Sequence, residues 1–192
     1  MRRILGLTAL VVCAFSMVAA AATKPAEQFS ADQEMKMDGN TITAKINVDN
    51  GNVRSEMPMP DANMPSISIV NKSKRALYII MPNRMYMEKS LEQDDDLVRS
   101  AWANPEHLKP EGTEAVEGVK CEKYRMESDG KTYFFFINAK NGAPVRMVGE
   151  NSDLQINWKN VKLGPQPADL FEPPAGYTKF GMQGLMKGLF GR

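Results

Sequence analysis

Gly51-Asn52-Val53-Arg54-Ser55-Glu56-Met57-Pro58-Met59 is the stretch on which the reading of the chain turns. Val53, Met57 and Met59 fall on one side of a two-residue alternation and Arg54 and Glu56 on the other, the pattern of a half-buried β-strand. Such a strand belongs to a sheet with one apolar, methionine-rich face. What that face covers is the functional question.

The alternation continues in both directions. Upstream, Phe29, Ala31, Met35 and Met37 are apolar, with Gln33 the exception, while Ser30, Asp32, Glu34 and Lys36 are polar. Asp38-Gly39 suits a tight hairpin turn, Ile42, Ala44, Ile46 and Val48 resume the pattern, and Asn50-Gly51 turns the chain into the opening stretch. Downstream, Pro58, Pro60 and Pro65 cannot donate ladder hydrogen bonds, so residues 58–65 are expected to form an edge or a loop. Ser66 to Val70 re-enters the sheet, Asn71 to Arg75 is a polar turn, and Ala76 to Met81 is apolar on both faces. After Pro82-Asn83, Met85, Tyr86 and Met87 begin a short strand.

There the period changes. Ser90 with Gln93 is a capping-box pattern, and Leu91, Leu97, Val98, Ala101 and Trp102 give a helical stripe that stops at Asn104-Pro105. The acidic run Asp94-Asp95-Asp96 suits the first turn of that helix. A polar, proline-bounded connector leads to the clearest hairpin, Val119 to Glu127 and Lys131 to Asn138 around Ser128-Asp129-Gly130. Asn141-Gly142 then turns into Val145 to Glu150, and Leu154, Ile156 and Trp158 alternate with polar residues. About ten strands and one good helix joined by short turns predict a mainly β protein whose antiparallel sheet curls strongly or closes.

Residues 1–22 read as a secretory signal. Arg2 and Arg3 precede the apolar run Ile4 to Val18, and Ala19 to Ala22 offer a cleavage site after Ala22. The run is shorter than the roughly 20 residues that span a bilayer, and Val12 before Cys13 does not fit a lipoprotein cut. Removal leaves 170 of the 192 residues, read as one domain over 23–178 and a Gly/Met-rich tail over 179–192. The formal charge falls from +1 to −1 as Arg2 and Arg3 leave, and with no basic block nucleic acid is not an expected partner.

The catalytic inventory is small. Cys121 is the one thiol left after cleavage, so no internal disulfide is expected, and it reads as a small buried apolar residue. His107 is the one histidine and lies in a loop between prolines, so no enzyme, zinc site or cofactor is expected. Methionine is the abundant soft group. Met35 with Met37, Met57 with Met59, and Met85 with Met87 each fall two apart, the spacing of a sheet lining. An adaptable apolar lining is favoured over Cu(I) coordination by Met57, Met59 and Met64. Arg54 is either a solvated arginine or a rim guanidinium for a carbonyl, carboxylate or phosphate. In the tail, Met182, Leu185, Met186, Leu189 and Phe190 can share a helical face against a membrane surface or in a groove, although four glycines weaken a helix there.

The order of these motifs carries a resemblance. Gly51-x-Val53-Arg54-x-Glu56-x-Pro58, Ile67-x-Ile69-Val70, Leu77-Tyr78-Ile79-Ile80-Met81-Pro82 and Leu170-Phe171-Glu172-Pro173-Pro174-x-Gly176-Tyr177 resemble the outer-membrane lipoprotein-carrier (LolA-like) superfamily. Gly118-Val119-Lys120-Cys121-x-Lys123-Tyr124 is more similar to an uncharacterised periplasmic branch. The resemblance implies a strongly curved antiparallel half-barrel with one or two helices as a lid over an apolar cavity for acyl chains. It also matches Arg54 to an arginine linked to lipoprotein retention and release. The chain departs from the carrier in its methionines near Arg54 and its glycine-rich tail.

The expectation is a periplasmic, non-enzymatic protein that holds a lipid or lipoprotein acyl chains against Met35, Met37, Met57, Met59, Met85 and Met87, with Arg54 at the rim. The alternatives are an envelope sensor that binds a protein partner on the same fold, or a Cu(I)-binding protein. Strict alternation points Arg54 away from the methionines, so contact with a ligand requires a twist, bulge or strand end there.

Overall fold

The computed structural model describes residues 23–59, 64–91, 107–128 and 130–180. They form a sheet of twelve strands. The first six are β1 (Gln28–Met37), β2 (Asn40–Asp49), β3 (Asn52–Met57), β4 (Ser66–Asn71), β5 (Ala76–Met81) and β6 (Met85–Ser90). The second set is β7 (Lys109–Val116), β8 (Val119–Ser128), β9 (Lys131–Asn138), β10 (Pro144–Gly149) and β11 (Gln155–Leu163), followed by the two-residue β12 (Thr178–Lys179).

The spatial order is β12-β6-β5-β4-β3-β2-β1-β11-β10-β9-β8-β7. Two antiparallel meanders therefore meet along β1 and β11, and the sheet stays open, with β12 and β7 at its edges. All neighbouring pairs are antiparallel except β12, which lies parallel to β6. An open sheet of this width curls through the accumulated right-handed twist of its strands. It agrees with the mainly β, antiparallel sheet that both the pattern and the resemblance lead one to expect.

The predicted hairpins form where Asx-Gly pairs allow both central residues a positive φ. Asp38 and Gly39 stand at 51° and 74°, and Asn50 and Gly51 at 48° and 86°. Two expectations are corrected. There are twelve strands rather than about ten, because Lys109–Val116, read as a connector, is strand β7 and because β12 joins the edge. Ser90, read as a helix cap, ends β6 opposite Ala76. The helical element with defined ends among the described residues is a 3-10 turn at Ala168–Phe171. The remainder of the expected helix with its Asp94-Asp95-Asp96 run, the signal segment 1–22 and the tail from 181 lie outside the described residues.

The apolar core changes sides within the sheet. On one face, here the core face, Phe29, Ile46, Val48, Tyr124, Phe135 and Trp158 belong to one buried cluster drawn from β1, β2, β8, β9 and β11. Part of its end is closed by the residues before β1, where Tyr124 Oη donates to the Thr23 carbonyl at 2.6 Å and Thr23 Oγ1 donates to the Ala139 carbonyl. Gly142 is required beneath them, because a Cβ there would collide with the Lys24 carbonyl. On the other face, here the outer face, Ile67, Ile69, Tyr78 and Ile80 of β4 and β5 pack under Phe171, with Leu170 and Tyr177 alongside. The switch falls at β3.

Candidate ligand-binding face

Consecutive residues of β3 serve different cores. Val53 pairs with Val48 and packs against the core-face cluster. Arg54 pairs with Ile69 and points to the outer face, where it is 9% exposed. Its Nε donates to Glu56 Oε1 at 2.6 Å and its Nη1 donates to the Leu170 carbonyl at 3.2 Å. Asn71, also buried, donates through Nδ2 to the Phe171 carbonyl at 3.0 Å. These two side chains bind the 3-10 segment to the outer face, and that segment seals the apolar residues of β4 and β5 from water.

With the outer face of β4 and β5 packed, their core-face side chains form a separate surface. Residues opposite each other on neighbouring strands share a face. Ser55 pairs with Ser68, Ser68 with Ile79, and Ile79 with Met87; Met57 pairs with Ser66, and Met81 with Met85. Met57, Leu77, Ile79, Met81 and Met85 are half-buried and Met87 is 42% exposed. None of the six belongs to the three apolar clusters of described residues. On this face the small side chains of Ser66 and Ser68 on β4 lie between Met57 on β3 and Ile79, Met81 and Met85 on β5 and β6.

The sequence-selected methionines divide between several places. Met57, Met85 and Met87 lie together on this face. Met35 is on the same face of the sheet but packs against the core cluster, four strands from β5. Met37 is exposed at the end of β1 beside the hairpin turn. Met59 is exposed beyond β3 and, with Met64, Pro58 and Pro65, borders an outer-face groove of about 620 Å³ floored by Asp32, Thr43, Lys45 and Glu56. Met57 therefore sits on the face opposite Met64, which packs beside the Phe171 cluster, and the three thioethers do not converge. Leu77, Ile79 and Met81 were not selected from the sequence, although the two-sided apolar pattern of β5 contained them.

Cys121 is fully buried beside Val116 and Phe136, and its Sγ lies 3.4 Å from the Val119 carbonyl. Burial pushes its thiol pKa up, outweighing a backbone hydrogen bond from Val116 and the nearby Arg146 charge, which lower it. A buried thiol with a raised pKa is a poor nucleophile, and this agrees with its reading as a small apolar core residue. His107 is exposed at the start of the second meander.

A family model described as Domain of unknown function (DUF4412) matches residues 30–138. No curated protein matches by sequence. Among solved structures, an uncharacterized conserved protein from Thermus thermophilus is similar at 10% identity and a TM-score of 0.56, over 79% of this chain and 88% of its own. PNGF-II is similar at 14% identity and a TM-score of 0.46, over 86% of this chain and 34% of its own. A chain of the Pseudomonas aeruginosa MucA/MucB complex is similar at 15% identity and a TM-score of 0.44, over 77% of this chain and 56% of its own. This chain thus spans about a third of PNGF-II and just over half of the chain from the MucA/MucB complex. The likeness to the Thermus protein is one of fold alone.

Proposed function

We propose that this chain, which belongs to the DUF4412 family, is a non-enzymatic binding protein of the cell envelope that holds an acyl chain of a lipid or lipoprotein on the core face of β3 to β6. The observation that carries this reading is the shared face of Met57, Leu77, Ile79, Met81, Met85 and Met87, half-buried or exposed, on strands whose opposite face is packed by the Phe171 segment. Flexible thioethers and aliphatic groups around three serines suit a ligand defined by apolar length more than by polar geometry. The signal-like first 22 residues support placement in the envelope. Arg54 acts in this reading as a positioning residue, holding the outer segment in place, and Met35 belongs to the neighbouring core cluster on the same face.

Native mass spectrometry of the purified protein, followed by organic extraction, tests the proposal. Co-purifying lipid or saturable uptake of a fluorescent acyl probe is expected, and a protein that carries no lipid and takes up no probe overturns it. Met57→Lys and Met87→Lys each place a charge where the chain would lie, and each is expected to weaken probe binding roughly tenfold or more without lowering the urea midpoint by a comparable amount. Binding of an unmodified protein partner that survives both substitutions would instead assign the fold to a protein-interaction module.

A further inference from the structure

We propose that Met87 is an oxidation site through which a peroxide lowers the hold of the β3–β6 face on its ligand. The modification rests on exposure; its effect on binding rests on the acyl-binding role proposed above. The methionines spaced two apart in the sequence form three pairs, and each pair divides in the same way. Met35, Met57 and Met85 are half-buried, whereas Met37, Met59 and Met87 are 46%, 52% and 42% exposed. Among the described residues, the other large apolar side chains exposed to this degree are Ile42 and Leu163. A side chain so exposed gains little from packing, so what distinguishes a thioether from leucine at these positions is its chemistry.

Position separates Met87 from the other two. Met87 lies within β6 opposite Ile79, on the same face as Met81 and Met85. Met37 ends β1, five strands away from β6, and Met59 lies beyond β3 at the outer-face groove. The chemistry at Met87 is a two-electron oxygen transfer. Its sulfur attacks a peroxide oxygen, an S–O bond forms as the O–O bond breaks, and after proton transfer the peroxide leaves reduced, as water in the case of hydrogen peroxide. The product replaces an apolar sulfur with a polar sulfoxide acceptor. Ile79, directly opposite, has no side-chain donor for it. An acyl chain laid over Met87 then removes water from the sulfoxide oxygen, which costs binding energy, while in the free protein that oxygen stays hydrated and the fold is little affected. The step is reversible, because a dithiol reductase takes the oxygen back, releasing water and leaving a disulfide in the reductase.

The test treats the purified protein with hydrogen peroxide in steps. At each step peptide mass spectrometry reads the sulfoxide at every methionine, a dansyl-labelled fatty acid reads binding, and urea unfolding reads stability. Met37, Met59 and Met87 are expected to oxidise well before Met126, which is 8% exposed. Affinity is expected to fall about threefold to tenfold in step with the Met87 sulfoxide, at a nearly constant urea midpoint, and to return with methionine sulfoxide reductase. With each variant compared with its own reduced form, Met87→Leu removes the loss, while Met37→Leu and Met59→Leu leave it in place. Met87 oxidising no faster than Met126 overturns the proposal, as does full Met87 sulfoxide with unchanged affinity. A loss that persists in Met87→Leu, or that appears only as the urea midpoint falls, overturns it as well. A reduced protein that does not bind the fatty acid rejects the acyl-binding role and the switch together, whereas equal binding before and after oxidation rejects the switch alone.

Discussion

Arg54 ties the C-terminal 3-10 segment to the outer face of β3. Arg54→Ala leaves the Leu170 carbonyl and the Glu56 carboxylate without their donor in a largely buried setting, and a loss of about 1–3 kcal/mol in urea unfolding is expected. Because Arg54 faces away from Met57 and Met87, the same substitution is expected to change probe affinity much less than Met87→Lys does. Cys121 makes a second prediction. Its folded pKa is raised, so the folded state holds the thiol proton more tightly than the unfolded chain. The stability this contributes is present below the ordinary thiol pKa of about 8.5 and is lost as pH rises through the folded value. Urea midpoints should fall on the alkaline side, Cys121→Ala should flatten part of that fall, and iodoacetamide should label the native protein far more slowly than the unfolded one.

Among the elements, the segment from Ala168 to Tyr177 acts out of proportion to its length. It has one 3-10 turn, yet Phe171 is 3% exposed and caps β4 and β5. Phe171→Ala should cost about 3 kcal/mol or more, read by thermal or urea unfolding. The first three strands were legible in the sequence because strict alternation coincides with Asp38-Gly39 and Asn50-Gly51, whose backbone requirements leave few alternatives. Strand β7 was not, since all of its residues but Val116 are exposed and an edge strand solvated on both sides keeps no period. At Ser90 a good capping pattern lost to pairing with Ala76, as tertiary contacts often override local preference. Nor could alternation say which face of β3 would be covered. Arg54 is buried by a carbonyl 116 residues further along the chain, and a period of two separates faces without showing what lies on each.

For the whole molecule the decisive feature is the seam. Strand β1 lies between β2, its immediate successor, and β11, whose Leu163 pairs with Phe29 across most of the chain. Contacts this distant in sequence close late, so refolding is expected on the millisecond-to-second scale of non-local β proteins, with seam amides slower to become protected than those of the β4–β5 hairpin. The two cores then have separate dependencies. The outer core needs the C-terminal segment, while the core-face cluster needs both meanders.

The seam also bears on where the family match ends. Residues 30–138 take in most of β1 and all of β2 to β9, but stop before β10 and β11. A polypeptide cut at those limits would carry two raw margins, β1 without β11 and β9 without β10, and bare strand margins recruit other chains. Such a fragment is expected to self-associate and bind thioflavin T, whereas mixing it with a separate peptide of residues 139–180 should restore a soluble species by complementation. The stretch of sequence that identifies the family is thus shorter than the stretch that can stand alone.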